Sequence, residues 1–203
     1  MDNDSIGQVQ ANITYNNATG ELKGKGYNLD PEHKINFDLQ LYLKDSLRFK
    51  DTRITAKLQS FHLNILERFL GTLFSDIQGF VTGDLVIAGP FNELTFTGKG
   101  RLKDAGLKVN FTQVYYKIPD ADIELKPTEL NLGKLKLVDQ YGRTATLSGT
   151  IQHNSWRNMF FDITARVDGQ PMELLNTTVK DNEVFFGKAR GTGSFALIGP
   201  QSD

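Results

Sequence analysis

The stretch Gly79-Phe80-Val81-Thr82-Gly83-Asp84-Leu85-Val86-Ile87-Ala88-Gly89-Pro90 returns as Ala189-Arg190-Gly191-Thr192-Gly193-Ser194-Phe195-Ala196-Leu197-Ile198-Gly199-Pro200, a shift of 110 positions. Each copy reads Thr-Gly, one polar residue, four apolar residues, then Gly-Pro. Recurrence at this distance marks a repeated unit. Each copy reads as one strand, bounded by glycine where the backbone bends or passes close and by Gly-Pro where the ladder stops. Upstream, Arg53-Ile54-Thr55-Ala56-Lys57-Leu58 is echoed by Asp162-Ile163-Thr164-Ala165-Arg166-Val167 at a shift of 109. The repeated unit is therefore a strand pair, with less regular inserts at 59–78 and 168–188. The approximate units are 1–100 and 101–203, read together as a single section of one β-array.

The alternation continues on either side of these strands. Ile35, Phe37, Leu39, Leu41 and Leu43 occupy every second position, with Asn36, Asp38, Gln40 and Lys44 between or after them. This spacing places apolar and polar side chains on opposite faces of one half-buried strand. Val9 to Tyr15 alternates in the same way, and Asn16-Asn17-Ala18-Thr19-Gly20 supplies turn residues. Leu94–Leu102, Leu107–Phe111, Ala121–Leu125, Leu130–Val138, Ala145–Ile151 and Phe160–Val167 extend the series. One segment departs from it. Leu63, Leu66, Phe69, Leu70 and Leu73 recur at three- and four-residue steps, which predicts a short amphipathic helix over 61–74, either a cap packed on a sheet end or a membrane-surface or partner-binding helix. The expected fold is mainly β, a long coiled antiparallel or mixed sheet with that one helix.

Composition excludes several function classes. The 203 residues carry 23 Lys plus Arg against 24 Asp plus Glu, so no net positive field attracts nucleic acid. Cysteine is absent, which removes disulfides, thiolate metal sites and a cysteine nucleophile. No apolar run approaches the ~20 residues that cross a bilayer as a helix. Met1-Asp2-Asn3-Asp4-Ser5 lacks the basic and apolar regions of a secretory leader, so a chain working outside the cytoplasm would be a section of something longer. His33, His62 and His153 are scattered without ligand spacing and are expected at the surface or a sheet edge. Asp120, Asp122 and Glu124 fall on alternate positions of a strand, which predicts a solvated face. Asn12, Asn17, Asn110 and Asn176 open Asn-x-Ser/Thr triplets, a pattern short enough to recur in polar β-sequence by chance. With no nucleophile elbow, phosphate loop or dinucleotide fingerprint, the reading is a non-enzyme without cofactor, catalytic or metal residues.

Several segments resemble one family. Asp76-Ile77-Gln78-Gly79-Phe80-Val81-Thr82-Gly83 and Gly89-Pro90 precede Tyr115-Tyr116 and Asp122-Ile123-Glu124-Leu125. Val138-Asp139-Gln140-Tyr141-Gly142-Arg143 then leads to Leu175-Asn176-Thr177-Thr178, Asp181-Asn182 and Phe185-Phe186-Gly187-Lys188-Ala189. Over about residues 50 to 200 this order is similar to the C-terminal region of the TamB proteins, translocation and assembly module subunits of the AsmA-like family, in the form found in Bacteroidetes. The resemblance implies a periplasmic β-sheet curled into an open trough. The full-length protein would be anchored in the inner membrane and would meet an outer-membrane barrel protein at its far end.

It also implies phospholipid acyl chains as the ligand, shielded in an apolar groove between the two membranes. The rows expected to line such a groove are Phe37, Leu39 and Leu41; Val81, Leu85 and Ile87; Leu107, Val109 and Phe111; and Ile123 and Leu125. Two other functions fit the same pattern. An assembly factor for outer-membrane barrels would offer a strand edge for augmentation, and a structural array would seal these residues in a closed core.

Overall fold

A computed structural model describes residues 7–43, 52–90, 93–154, 157–181 and 186–200. Eleven strands form one sheet: β1 Val9–Asn16, β2 Glu21–Asn28, β3 Lys34–Tyr42, β4 Thr52–His62, β5 Phe74–Gly89, β6 Thr95–Val109, β7 Val114–Lys126, β8 Glu129–Val138, β9 Thr144–Asn154, β10 Arg157–Thr177 and β11 Gly187–Pro200. Their order across the sheet is their order along the chain, and every neighbouring pair is antiparallel. This sheet is not closed into a barrel. Its meander topology needs only local connections between strands, consistent with the turn residues between the alternating segments.

The duplicated sequence folds into duplicated pairing. On β4 and β5, Arg53 faces Ala88, Ile54 faces Ile87 and Leu58 faces Gly83. Their counterparts on β10 and β11 pair identically: Asp162 with Ile198, Ile163 with Leu197 and Val167 with Gly193. Register then breaks at the same point in both copies, after Leu58 and after Val167. The inserts begin where the shared register ends.

The helical region is shorter than its sequence pattern predicts. Instead of one helix over 61–74, a 3₁₀ turn at Leu63–Leu66 runs into a single α-helical turn at Glu67–Leu70, here α1. The flanking aromatics belong to strands, with Phe61 opposite Val81 and Phe74 opposite Val109. The His62 ring accepts a hydrogen bond from the Asn64 N–H at the start of the segment, and Glu67 Oε1 accepts one from the Ile77 N–H on β5. Leu63 is buried, and Leu66 and Leu70, half-buried, pack against the core, so the stripe marks the side chains that face the sheet. The side chain of Phe69 lies outside the described atoms, as do residues 182–185 of the family-like segment.

Irregular strand positions explain where simple alternation fails. Asp104 has φ 49°, and Leu102 and Ala105, on either side of Lys103-Asp104, are both buried although three positions apart. Ser60 (φ 49°) and Asp76 (φ 52°) interrupt β4 and β5 similarly. An extra residue at such a bulge returns the following side chain to the same face. These irregularities gather at the end of the sheet where α1 sits.

That end is sealed. Leu63, Ile77, Leu102, Ala105, Ile118, Ala121, Leu135, Leu137, Ala145, Val167 and Met172 form one buried cluster. Met172 retains 2% exposure, whereas Leu197 near the other end of β11 retains 57%. Met172→Ala should therefore cost about 2–5 kcal/mol of stability, while Leu197→Ala should change it by less than about 0.5 kcal/mol. Urea unfolding of the two variants measures both, and comparable losses would show that the core is not confined to the α1 end.

Candidate functional site

Cross-strand register decides which side chains share a face, because directly opposed residues of antiparallel strands project to the same side. One row can be followed through all eleven strands: Ala11, Gly26, Phe37, Ala56, Leu85, Gly98, Leu125, Leu130, Ile151, Phe161 and Gly199. Every member is apolar or glycine. The adjacent row, one residue along each strand and so on the opposite face, reads Gln10, Tyr27, Asn36, Lys57, Asp84, Lys99, Glu124, Asn131, Thr150, Asp162 and Ile198. Only its last member is aliphatic. The sheet thus has one apolar face and one polar face along its whole width.

Eight of the expected lining residues share the apolar face. Phe37, Leu85 and Leu125 lie in the eleven-strand row. Leu39 and Ile87 lie in the next one, joined through Ile54, and Leu41 follows one step further along β3. On the other side, Ile123 is joined to Leu58 through Gly83 and Gly100, and Val81 faces Leu102. All eight are half-buried, and Val81 and Ile123 among them pack against the sealed cluster. Leu107 packs on the sealed cluster beyond the Asp104 bulge, and Val109 sits opposite Phe74 and Val114 at the end of β6. Phe111 is not on a strand. It occupies the turn between β6 and β7 with 66% exposure.

The polar face is self-neutralising. Lys99 Nζ lies 3.3 Å from Glu124 and Arg101 pairs with both Asp120 and Asp122, while Lys25 Nζ lies 3.1 Å from Asp38. The Asp120 carboxyl is held below its ordinary range, first by its hydrogen bond from Arg101. Each carboxylate of the Asp120–Asp122–Glu124 series thus has a basic partner on β6. A shallow depression of about 480 Å³ over Lys99, Arg101, Asp122, Glu124 and Asn131 is lined by these pairs.

At the sealed end, β7 and β10 meet although β8 and β9 separate them in the sheet. The Tyr116 hydroxyl donates to the Glu173 carbonyl at 2.8 Å, and the Asn176 N–H donates to the Thr112 carbonyl at 2.9 Å. Asp139, with 2% exposure, organises the β8–β9 turn: Oδ1 accepts from the N–H groups of Tyr141 and Arg143, and Oδ2 accepts from the Glu173 N–H. Glu173 is equally buried, and its Oε2 accepts from Gln140 Nε2 at 2.7 Å. Composition alone does not reveal this polar latch. Its available signal is Asp139 followed by Gly142, an Asx-type turn with the glycine at φ 77°.

Two histidines also depart from expectation. His33 and His153 are buried, with 6% and 4% exposure, rather than lying at the surface or an edge. The His33 ring meets Asp30 Oδ2 at 3.1 Å and Phe61 edge-on at 5.2 Å. It ties the β2–β3 loop to the end of β4. An imidazole has both polar and flat apolar surface, so a lone histidine in a sequence does not disclose its burial.

Comparisons with protein-family models, curated proteins and solved structures returned no match.

Burial, and then the nearby Glu173 and Asp139 carboxylates, push the Tyr116 hydroxyl up to about 12. Its neutral form is therefore favoured by folding. The associated stability is fully present below pH 10 and is lost as pH rises from 10 through 12. Tyr116→Phe should flatten that alkaline decline while costing about 0.5–1.5 kcal/mol at neutral pH for the lost hydrogen bond. Urea midpoints measured from pH 8 to 12 test this, and an unchanged alkaline slope in the variant would assign the decline to other groups.

Proposed function

We propose that this chain is a section of an open β-trough whose apolar face shields the acyl chains of phospholipids as they pass between two membranes. The observation that carries this reading is the unbroken apolar row across all eleven strands, in which Phe37, Leu85 and Leu125 are left half-buried while Ala56 and Phe161 are buried. A sheet that buried this face against a second layer would seal those side chains. The sealed cluster is instead concentrated near α1 and the β7–β10 meeting point.

The chemistry of the face suits a conduit. Each acyl CH₂ withdrawn from water contributes about 0.8 kcal/mol, and aliphatic side chains offer no directional bond that would fix an acyl chain at one position. Affinity is then distributed along the surface rather than concentrated at a point. Glycines in the apolar row keep the surface low between the larger side chains, and the ion-paired opposite face remains compatible with water. The β7–β10 contact supports a curled sheet, because it brings together strands three places apart. The resemblance to TamB sequences supports a periplasmic setting, an inner-membrane anchor and an outer-membrane barrel partner for the full-length protein.

Adjacent residues on β5 provide the test. A photo-crosslinking amino acid at Leu85 faces the apolar side, whereas one at Asp84 faces the polar side in the same strand. In cells making the full-length protein, the probe at 85 should yield phospholipid adducts, identified by mass spectrometry after extraction, and the probe at 84 should not. Equal lipid recovery at the two positions, or only protein adducts at 85, would overturn the conduit reading. Leu85→Asp should sharply reduce lipid recovered with the purified chain while leaving its unfolding cooperative.

A further inference from the structure

We propose that Arg143 and Arg190, gathered on the ring of Tyr141, form a binding site for a phosphate group, whether of a phospholipid head group or of free phosphate. The site stands apart from the apolar face and rests on its own geometry.

The β8–β9 turn supplies its centre. Asp139 Oδ1 accepts hydrogen bonds from the Tyr141 and Arg143 N–H groups, and the Asp139 carbonyl accepts one from Gly142. This fixes the backbone that carries both side chains. The Arg143 guanidinium carbon lies 5.0 Å from the centre of the Tyr141 ring. That of Arg190 lies 4.2 Å from the same centre, although Arg190 belongs to β11 and faces Glu173 on β10. Its side chain reaches over β10 toward the β8–β9 turn. The guanidinium therefore lies inward of β11, toward the strands that precede it, and not along the outer edge of that strand.

Two cations on one ring repel each other, and the electron-rich face of a single phenol offsets only part of that repulsion. A counter-anion is the missing partner. Arg101 and Arg166 are paired with Asp120 and Asp168, whereas neither Arg143 nor Arg190 makes an ion pair among the described residues. The buried carboxylates of the latch are committed elsewhere. Asp139 binds the main-chain N–H groups of Tyr141, Arg143 and Glu173, and Glu173 Oε2 accepts from Gln140.

An unused donor gives a second sign of a ligand. Arg143 Nη1 is buried and has no hydrogen-bond partner, which is costly for a nitrogen of a charged group. Attraction to a ring face imposes no hydrogen-bond direction, so the guanidinium can turn on Tyr141 and present that nitrogen to an incoming oxygen. Tyr141 is 48% exposed and Arg190 is exposed, so a solute can reach the cluster.

Guanidinium chemistry selects the anion. Each planar fork can hold two oxygens. One fork fills a carboxylate, whereas a tetrahedral phosphate has oxygens for two forks approaching from different directions. A pair of arginines held on one ring suits phosphate better.

The test follows the arginine Nε–Hε resonances of the intact ¹⁵N-labelled chain at constant ionic strength. Inorganic phosphate, and separately dihexanoylphosphatidylglycerol below its micelle concentration, should shift the signals of Arg143 and Arg190 saturably, and acetate should not. In Arg190→Gln the Arg143 signal should need about tenfold more phosphate to reach half its shift, because one of two charge-assisted forks is gone. Arg190→Lys, which keeps the charge but not the fork, should also weaken binding. Both variants alter an exposed side chain, and their urea midpoints should match the parent's. Saturation at lower concentration by the lipid assigns the site to a head group, and saturation at lower concentration by inorganic phosphate assigns it to free phosphate. No saturable shift with either ligand, an equal response to acetate, or undiminished binding in Arg190→Gln would overturn the proposal and leave the cluster as a staple for the turn. Inorganic phosphate has no acyl chain, so failure here would leave the acyl-chain reading standing, and failure of the crosslinking test would leave this one standing.

Discussion

Cross-strand register is the constraint on which the structure depends. A one-residue slip between antiparallel strands exchanges their two faces, so a row of matched chemistry through eleven strands requires correct pairing at every step. The hydrophobic pattern enforces that pairing locally. Displacing β5 by one residue on β4 would place Asp84 beside apolar positions and remove Lys57 from its polar neighbour. The ladder and the two-faced chemistry therefore select the same arrangement.

The two ends of the apolar face have different physical roles. Near α1, bulges at Ser60, Asp76 and Asp104 alter the spacing of inward side chains, and the extension of β10 reaches across to β7. Leucines from the helical turns fill this region, and Asp139 and Glu173 satisfy the polar groups brought into it. Further along the strands, regular pairing resumes without another layer of buried leucines, and most apolar side chains remain half-buried, with Ala56, Met159 and Phe161 buried. A closed end supplies stability beside an adjoining half-buried apolar surface.

Duplication is visible in the pairing as well as in the sequence. The two hairpins share both residue pattern and register, although their inserts differ: helical turns follow β4, whereas β10 continues as a long strand. Conservation of pairing between the copies, despite different inserts, indicates that the hairpin is the repeated structural unit. At Gly83, Gly98 and Gly149 the absence of a Cβ makes room for the backbone of the neighbouring strand.

The sequence by itself determines the β class, the repeated hairpin and eight residues of the candidate face, because alternation at period two and glycine-bounded strands are local properties of the chain. It also places Leu63, Leu66 and Leu70 on the face that packs against the core, but overextends their helix because apolar periodicity does not fix where helical hydrogen bonding begins or ends. Phe111 illustrates a related limit: its parity matches Leu107 and Val109, but the turn removes it from their strand. Only the tertiary structure decides that one apolar row crosses all eleven strands, that His33 and His153 are buried, and that Tyr116, Asp139 and Glu173 meet at the sealed end. Those relations depend on register and on contacts between residues distant in sequence, where bulges change the facing of side chains without changing their chemical identity.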